Sequence, residues 1–385
     1  MKIYLDYAAS TPVYEEVIDV LAKSLREDYA NPSSAHKLGR DAFKKIQDAK
    51  KYCLELIGVD PVNSKDHFIF PASATEANNT AVKSLNYEEG DEIFINFSDH
   101  ASIVNAAKSW CACGKVKLKE LPLSKGYIEI DRLIEQIEPK TKLVMIALVN
   151  NHSGHIQDVN KIARCIKEKN PNTHVHIDAV QGLFKVNWSK TDDIDSIAIS
   201  GHKLGAPKGI AGLYLKDNKT YQPLLNGGGQ DEGIRSSTLS TPLIMSFCKA
   251  LEISKGIYEQ NNERAHELQI YLRQGLHDIS ENFIFPFVFE KDRMSPYILT
   301  CYYKGISGDI FLRHLEQKNI FISTSSACSS KIKGEKAIYN YLEIPSTDHK
   351  FVLRLSFGPD MNKEKIDHFL KVCQEIVNDW GNLFN

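Results

Sequence analysis

The chain has 385 residues, 42% hydrophobic and 25% charged, an ordinary globular balance at a length that favours two cores over one. Its net charge of −2 creates no field that would draw in nucleic acid or an anionic membrane surface. Asp6 interrupts MKIYLDYAAS where a signal peptide needs an apolar stretch, and no apolar run is long enough to span a bilayer, so the expectation is a cytoplasmic protein.

In chain order, Leu38, Ala42, Phe43, Ile46, Ala49, Cys53, Leu56 and Ile57 recur at helical spacing, and Gly58 stands where a helix stop belongs. Strands are predicted at Phe68–Phe70, Glu92–Phe97, Leu143–Val149, His174–Ile177, Ser196–Ser200 and Gly212–Leu215. Several are apolar throughout, the pattern of a parallel sheet covered on both faces. From Thr241 a long helical stretch runs to about His277. Strands at Tyr297–Tyr303, Ile320–Ser323 and Val352–Ser356 follow, with helices near Gly308–Lys318 and Lys363–Trp380. The fold class expected is α/β: a large domain with a mainly parallel sheet covered by helices on both faces, plus a smaller α+β domain. The expected division is 13–255 for the large domain, with 1–12 and 256–385 forming the small one.

In SGHKLGAPKG, residues 200–209, an apolar strand delivers Lys203 into a turn full of glycine. Asp178 ends the strand of HIDAVQG, and in open α/β sheets the ligand crevice lies at such strand ends. An aspartate there is also a common helix cap. A lysine and an aspartate at one sheet edge suit pyridoxal phosphate, for which lysine carries the aldehyde and a carboxylate holds the ring nitrogen protonated. PASATEANN, residues 71–79, opens a helix with small residues that admit a phosphate to its N–H groups, although Thr75 also reads as a plain cap. His100 follows a strand and could stack on a flat ring. Arg354 sits in an apolar strand, where it needs a substrate carboxylate or a structural carboxylate partner.

The eight cysteines are scattered, and Cys111-Ala-Cys113 has no second pair to complete a zinc site, so no metal is expected. Cys328 stands apart, in STSSACSS at 323–330, a stretch without helix or strand period that predicts an exposed, mobile loop. A thiol on such a loop could visit a deep site and swing outward.

Together these stretches resemble the cysteine desulfurases of the NifS/IscS type, in the class V aminotransferase group of fold-type I pyridoxal phosphate enzymes. The resemblance rests on YLDYAASTP (4–12), NPSSAH (31–36), SATEANN (73–79), DHASI (99–103), LVNNHSGHIQD (148–158), HIDAVQ (176–181), SGHKLGAPKG (200–209), GGGQDEGIRSSTL (227–239), SSAC (325–328) and RLSFG (354–358). It implies that Lys203 holds the cofactor, Asp178 pairs with the ring nitrogen and His100 stacks on the ring. It further implies that Gln181 and Asn151 face the phenolic oxygen and that Ala74, Thr75, Ser200 and His202 bind the phosphate. Thr238 would reach the phosphate of a neighbouring subunit, so a homodimer is expected. Arg354 and Asn31 would bind the carboxylate of L-cysteine, and Cys328, on the small domain, would take the sulfur as a persulfide and leave alanine. An iron–sulfur scaffold or a tRNA-thiolation enzyme would accept that sulfur. The chain departs from the family at His152, where glutamate is common, at Pro71, at Gln230-Asp231 and at Ser325. A selenocysteine lyase or another class V aminotransferase is the alternative. A catalytically silent adaptor has no use for Lys203, Asp178, His100 and Cys328. A nicotinamide dehydrogenase lacks support because Gly227-Gly228-Gly229 does not have the dinucleotide-binding spacing.

Overall fold

Seven strands gather into one sheet, most of them too apolar to face water on either side. The computed structural model describes residues 1–217, 219–324, 339–340 and 342–383. The chain starts with β1 (Ile3–Tyr4), α1 (Glu15–Glu27) and α2 (Lys37–Leu56). There follow β2 (His67–Ile69), α3 (Ala74–Lys83), β3 (Glu92–Ile95), α4 (Ala101–Cys111) and β4 (Lys117–Glu120). A two-stranded ribbon, β5 (Leu123–Ser124) and β6 (Tyr127–Ile128), leads to α5 (Ile130–Gln136), β7 (Thr141–Ala147), α6 (Val159–Lys169), β8 (His174–Asp178), β9 (Ser196–Ser200) and β10 (Ala211–Leu215). Then come α7 (Thr241–Gly256), α8 (Tyr258–Ile279), β11 (Phe283–Ile284), β12 (Ile298–Tyr303), α9 (Gly308–Gln317), β13 (Ile320–Phe321), β14 (Ser323–Thr324), β15 (Val352–Ser356) and α10 (Lys363–Leu383). No helix of the described residues is long and apolar enough to cross a membrane.

The large sheet has the order β2-β10-β9-β8-β7-β3-β4. All neighbours pair in parallel except β10, which runs antiparallel to both β2 and β9. Alternate residues of each central strand serve two different cores. In β7, Val144 and Ile146 join the cluster under α2, α6 and α7, whereas Leu143 and Met145 join the cluster under α3 and α4. This is the expected α/β architecture, and each fully buried Ile or Leu contributes about 1.5–3 kcal/mol to it. A third cluster lies around the four-stranded sheet β11-β12-β15-β14, against α8 and α10, and takes in Ile3 of β1 through the pairing of β1 with β13.

The sequence reading and the structure part at identifiable places. β3 stops at Ile95 because the Asn96 side chain accepts from Ser98 N at 2.8 Å and turns the chain. β4 was not expected from its sequence: Lys117-Leu-Lys-Glu is mostly exposed and polar, as suits an edge strand. The stretch from Thr241 breaks at Ile257 into α7 and α8, just after Gly256, a weak helix former. Helix α2 ends as expected, with Gly58 at φ +84° and Val59 N donating to Leu54 O.

The turn after β9 depends on Gly205. Its φ is +81°, its N–H donates to Thr11 Oγ1 at 2.9 Å, and a Cβ there would fall 2.2 Å from the Tyr14 ring. At Gly58 a Cβ would meet nothing within 4 Å. Gly205→Ala is therefore expected to cost about 2–4 kcal/mol, from backbone strain plus overpacking. Gly58→Ala should cost only about 1 kcal/mol. Thermal melts of the two variants check this, and equal losses would contradict the packing at Tyr14.

Candidate functional site

Because β3, β7, β8 and β9 are parallel, their carboxyl ends lie along one edge of the sheet. β2 is antiparallel to β10, which is antiparallel to β9, so β2 also ends there. That edge collects His100 after β3, Asn151 after β7, Asp178 at the end of β8, and Ser200 with Lys203 at the end of β9. The helix α3 begins there too, after β2.

Asp178 is buried and held from two sides. Its Oδ2 accepts from Asn78 Nδ2 at 2.8 Å and its Oδ1 from Val180 N at 3.0 Å. The other Asn78 amide proton goes to Ser102 Oγ at 2.8 Å. Ser102 in turn donates through its backbone N, at 3.1 Å, to His100 Nδ1, with its hydroxyl 2.8 Å from the same nitrogen. Nδ1 is thereby an acceptor, and a neutral His100 carries its proton on Nε2. Burial lowers the His100 pKa; the charge of Asp178 opposes this, and those of Lys203 and Arg354 add to it. Four expected site residues thus share one electrostatic environment. Behind Asn78, its Oδ1 lies 2.9 Å from His176 Nε2, and His176 and His174 both meet Ser196 Oγ at 2.7 Å. Burial takes both of these histidines down to about 3, so they are neutral.

The Lys203 amine does not simply face Asp178. It donates to Ala8 O at 2.5 Å and Ala9 O at 2.6 Å, in the segment after β1. Gln181 Nε2 donates to the same Ala8 O at 2.8 Å. His202, half-buried, lies with Nδ1 3.2 Å from Ser10 Oγ, and burial and the charges of Lys203 and Lys208 take it to about 4.

Arg354 is 7% exposed, and the structural carboxylate partner is the one of its two readings that is seen here. It forms a structural ion pair with Asp6 at 3.1 Å and donates to Asn151 O at 3.2 Å. Its Nε is buried and has no hydrogen-bond partner among the described residues. Burial raises the Asp6 pKa against the opposing charges of Arg354 and Lys203. Beside it, His152 is taken to about 3 by burial and by the charges of Arg354 and His100, and its carbonyl accepts from Thr300 Oγ1. Where the family commonly has a charged glutamate, this chain holds a neutral imidazole.

At α3 the cap is Ser73, not Thr75. Ser73 Oγ accepts from Glu76 N at 3.2 Å, and Glu76 Oε2 accepts from Ala72 N at 2.7 Å. Spacing explains this, since Ser73 and Glu76 form a capping pair. The N–H groups of Ala74 and Thr75 have no partner among the described residues. The nearby Gln230-Asp231 departure is anchored: Asp231 pairs with Lys50 at 2.6 Å and accepts from Phe70 N. Thr238 and Asn31 are exposed and are not brought into the cluster; the Asn31 side chain accepts from Ser33 N at 2.9 Å. Cys328 lies outside the described residues. The strand leading to it, β14, pairs Ser323 directly with Arg354. The seven other cysteines are free, four of them buried.

Sequence reasoning gave no role to Asn78, Ser102, His176 or Asp6. Asn78 had a signal: an amide in SATEANN one turn beyond Thr75, on a helix whose neighbouring positions are core.

A family model described as Aminotransferase class-V matches residues 3–369. A NifS/IcsS protein homolog of Lactobacillus delbrueckii subsp. bulgaricus is 30% identical, over 99% of this chain and 98% of its own. The cysteine desulfurase IscS of Rickettsia prowazekii is 30% identical, over 98% of this chain and 91% of its own. Among solved structures, a NifS-like protein superposes with a TM-score of 0.89 at 27% identity, covering 98% of this chain and all of the other. SspA in complex with cysteine superposes with a TM-score of 0.77 at 27% identity, covering 93% and 99%. The chain belongs to the class V aminotransferase family, among its members of the NifS/IscS type.

Proposed function

We propose that this chain is a cysteine desulfurase that holds pyridoxal 5′-phosphate on Lys203, takes sulfur from L-cysteine, leaves L-alanine, and carries the sulfur on Cys328 to an acceptor protein in the cytoplasm. The observation that carries the reading is the sheet edge that brings together Lys203, Asp178 and His100, with Arg354 bonded to Asn151 O beside them. Relatives named cysteine desulfurase over nearly their full length support it, as does a structural neighbour in complex with cysteine. The division into domains 13–255 and 1–12 with 256–385 belongs to the same reading.

The residues present fit the cofactor. A buried carboxylate, an amine, a flat imidazole and a helix start with two unpartnered N–H groups are the donor set that its ring nitrogen, aldehyde, ring face and phosphate require. When bound, the cofactor supplies an aldehyde for the substrate amine and a ring that accepts electrons as the carbon–sulfur bond parts. Asp178, fixed by Asn78 and Val180 N, holds a proton on the ring nitrogen. Ala74, Thr75, Ser200 and His202 would hold the phosphate, and Gln181 and Asn151 would orient the phenolic side. His100 would face the ring and could move a proton at Nε2. Arg354 takes the substrate carboxylate through its unpaired Nε, while its pairing with Asp6 sets its direction. The thiolate of Cys328 attacks the substrate sulfur. A sulfur–sulfur bond forms as the carbon–sulfur bond breaks, and the carbon takes up a proton to become alanine. Cys328 is four residues beyond Thr324, a span of at most ~14 Å when extended. Thr238, exposed in one protomer, completes the phosphate site of the second copy in a homodimer.

Borohydride reduction followed by peptide mapping should place the cofactor on Lys203, and a label on Lys208 would overturn the assignment. Cys328→Ala should still change its visible spectrum on adding cysteine while alanine formation falls more than ~100-fold, a loss of about 2.7 kcal/mol or more in transition-state stabilisation. Release at the parent rate would favour the lyase or aminotransferase. Light scattering on the active, cofactor-loaded protein should give a dimer; an active monomer contradicts the shared site.

A further inference from the structure

Lys185 is half-buried at the wall of a cavity, in the turn after β8, and has no role in the chemistry above. It borders a cavity of about 370 Å³ that also exposes Lys203 and Gln181. Among the described residues no carboxylate pairs with it. A half-buried cation with no counter-ion adds little to the fold, and an apolar side chain of similar volume would serve it as well.

Its one side-chain hydrogen bond among the described residues has a direction. Lys185 Nζ donates to Gln181 Oε1 at 3.1 Å. With that oxygen fixed, the Gln181 amide must turn its Nε2 toward Ala8 O, where it donates at 2.8 Å. Ala8 O is the atom on which the Lys203 amine rests at 2.5 Å. A flipped amide would set two oxygens against each other at Ala8 and give Lys203 a competing acceptor. Ala8 itself is fixed by its N–H, which donates to Ser356 Oγ at 2.9 Å.

We propose that Lys185 is a positioning residue for Lys203. Its ammonium fixes the sense of the Gln181 carboxamide, and its uncompensated charge disfavours a second positive charge on the Lys203 nitrogen. This rests on the reading of Lys203 as the cofactor lysine. Burial, then the charge of Lys203, bring Lys185 to about 7. Asp6, His100 and His202 are among the other groups whose charge meets Lys203. Asp360, Tyr7, Tyr14, Tyr258 and Tyr297 share the cavity. Burial raises the four tyrosines above their ordinary range. Asp360 lies below its ordinary value, because Lys365 and Tyr7 outweigh its burial.

The test uses the full chain with its cofactor bound and compares Lys185→Met and Lys185→Arg with the parent. Removing a positive neighbour raises the pKa of the nitrogen it faced. The midpoint of the visible-absorbance titration should therefore move up by ~1 pH unit in Lys185→Met and stay near the parent in Lys185→Arg. Lys185→Met should melt no lower than the parent, and its kcat/KM for cysteine at neutral pH should fall several-fold. Borohydride labelling of the same variant separates the two claims. A label on Lys203 with an unmoved midpoint, whatever the melting temperature, overturns the role of Lys185 alone. A label elsewhere overturns the cofactor reading itself. If Lys185→Met fails to fold, Lys185→Gln, which keeps a donor but not the charge, should show the same upward shift.

Discussion

The parallel pairing of β3, β7, β8 and β9 is the constraint on which the site depends. It forces four consecutive strand ends to one edge, and the residues that follow them have nowhere else to go. The pairing holds because both faces of these strands are buried, so a one-residue slip would exchange the cores on the two sides. β10, inserted antiparallel between β2 and β9, keeps the start of α3 on the same edge while moving it one strand outward.

Beneath the edge lies a polar layer that carries little charge. Asn78 connects Asp178, Ser102 and His176, and Ser196 continues the chain to His174. Neutral imidazoles can act as donor on one nitrogen and acceptor on the other, so the network fixes tautomers without importing charge. It engages Oδ2 of Asp178 through Asn78 and Nδ1 of His100 through Ser102. Asp99, next to His100, is raised to about 7 by burial, with Ala147 N donating to it at 3.1 Å. The N-terminal segment closes the site from the other side. Asp6, Ala8 and Ala9 reach Arg354 and Lys203, while Asp6 bridges to Ser356 on β15, tying the smaller sheet to the lysine.

Much of this was legible in the sequence, for a physical reason. A strand buried on both faces must be apolar throughout, so HIDAV and SIAIS identify themselves, and the polar residue ending each run marks the edge. What was not legible falls into three kinds. Polar edge strands such as β4 look like loops because their side chains face water. Positioning residues such as Asn78 and Lys185 have no spacing of their own; only the three-dimensional meeting of α3, β8 and the N-terminal segment gives them partners. Arg354 could be read as a structural ion pair or as a substrate anchor, and its guanidinium has enough donors for both. Thr75 was mistaken for a possible cap because the capping residue is decided by its partner three positions on, which favours Ser73 with Glu76.

The sheet edge is proposed to release alanine and Cys328 to take the sulfur, so both must be followed in one turnover. The most direct measurement is a single turnover with sulfur-labelled L-cysteine and no acceptor, reading alanine and labelled peptides together. The expected result is one alanine per site, with the label on the peptide containing Cys328. Alanine without a labelled Cys328, or label on the exposed Cys113 instead, would contradict it.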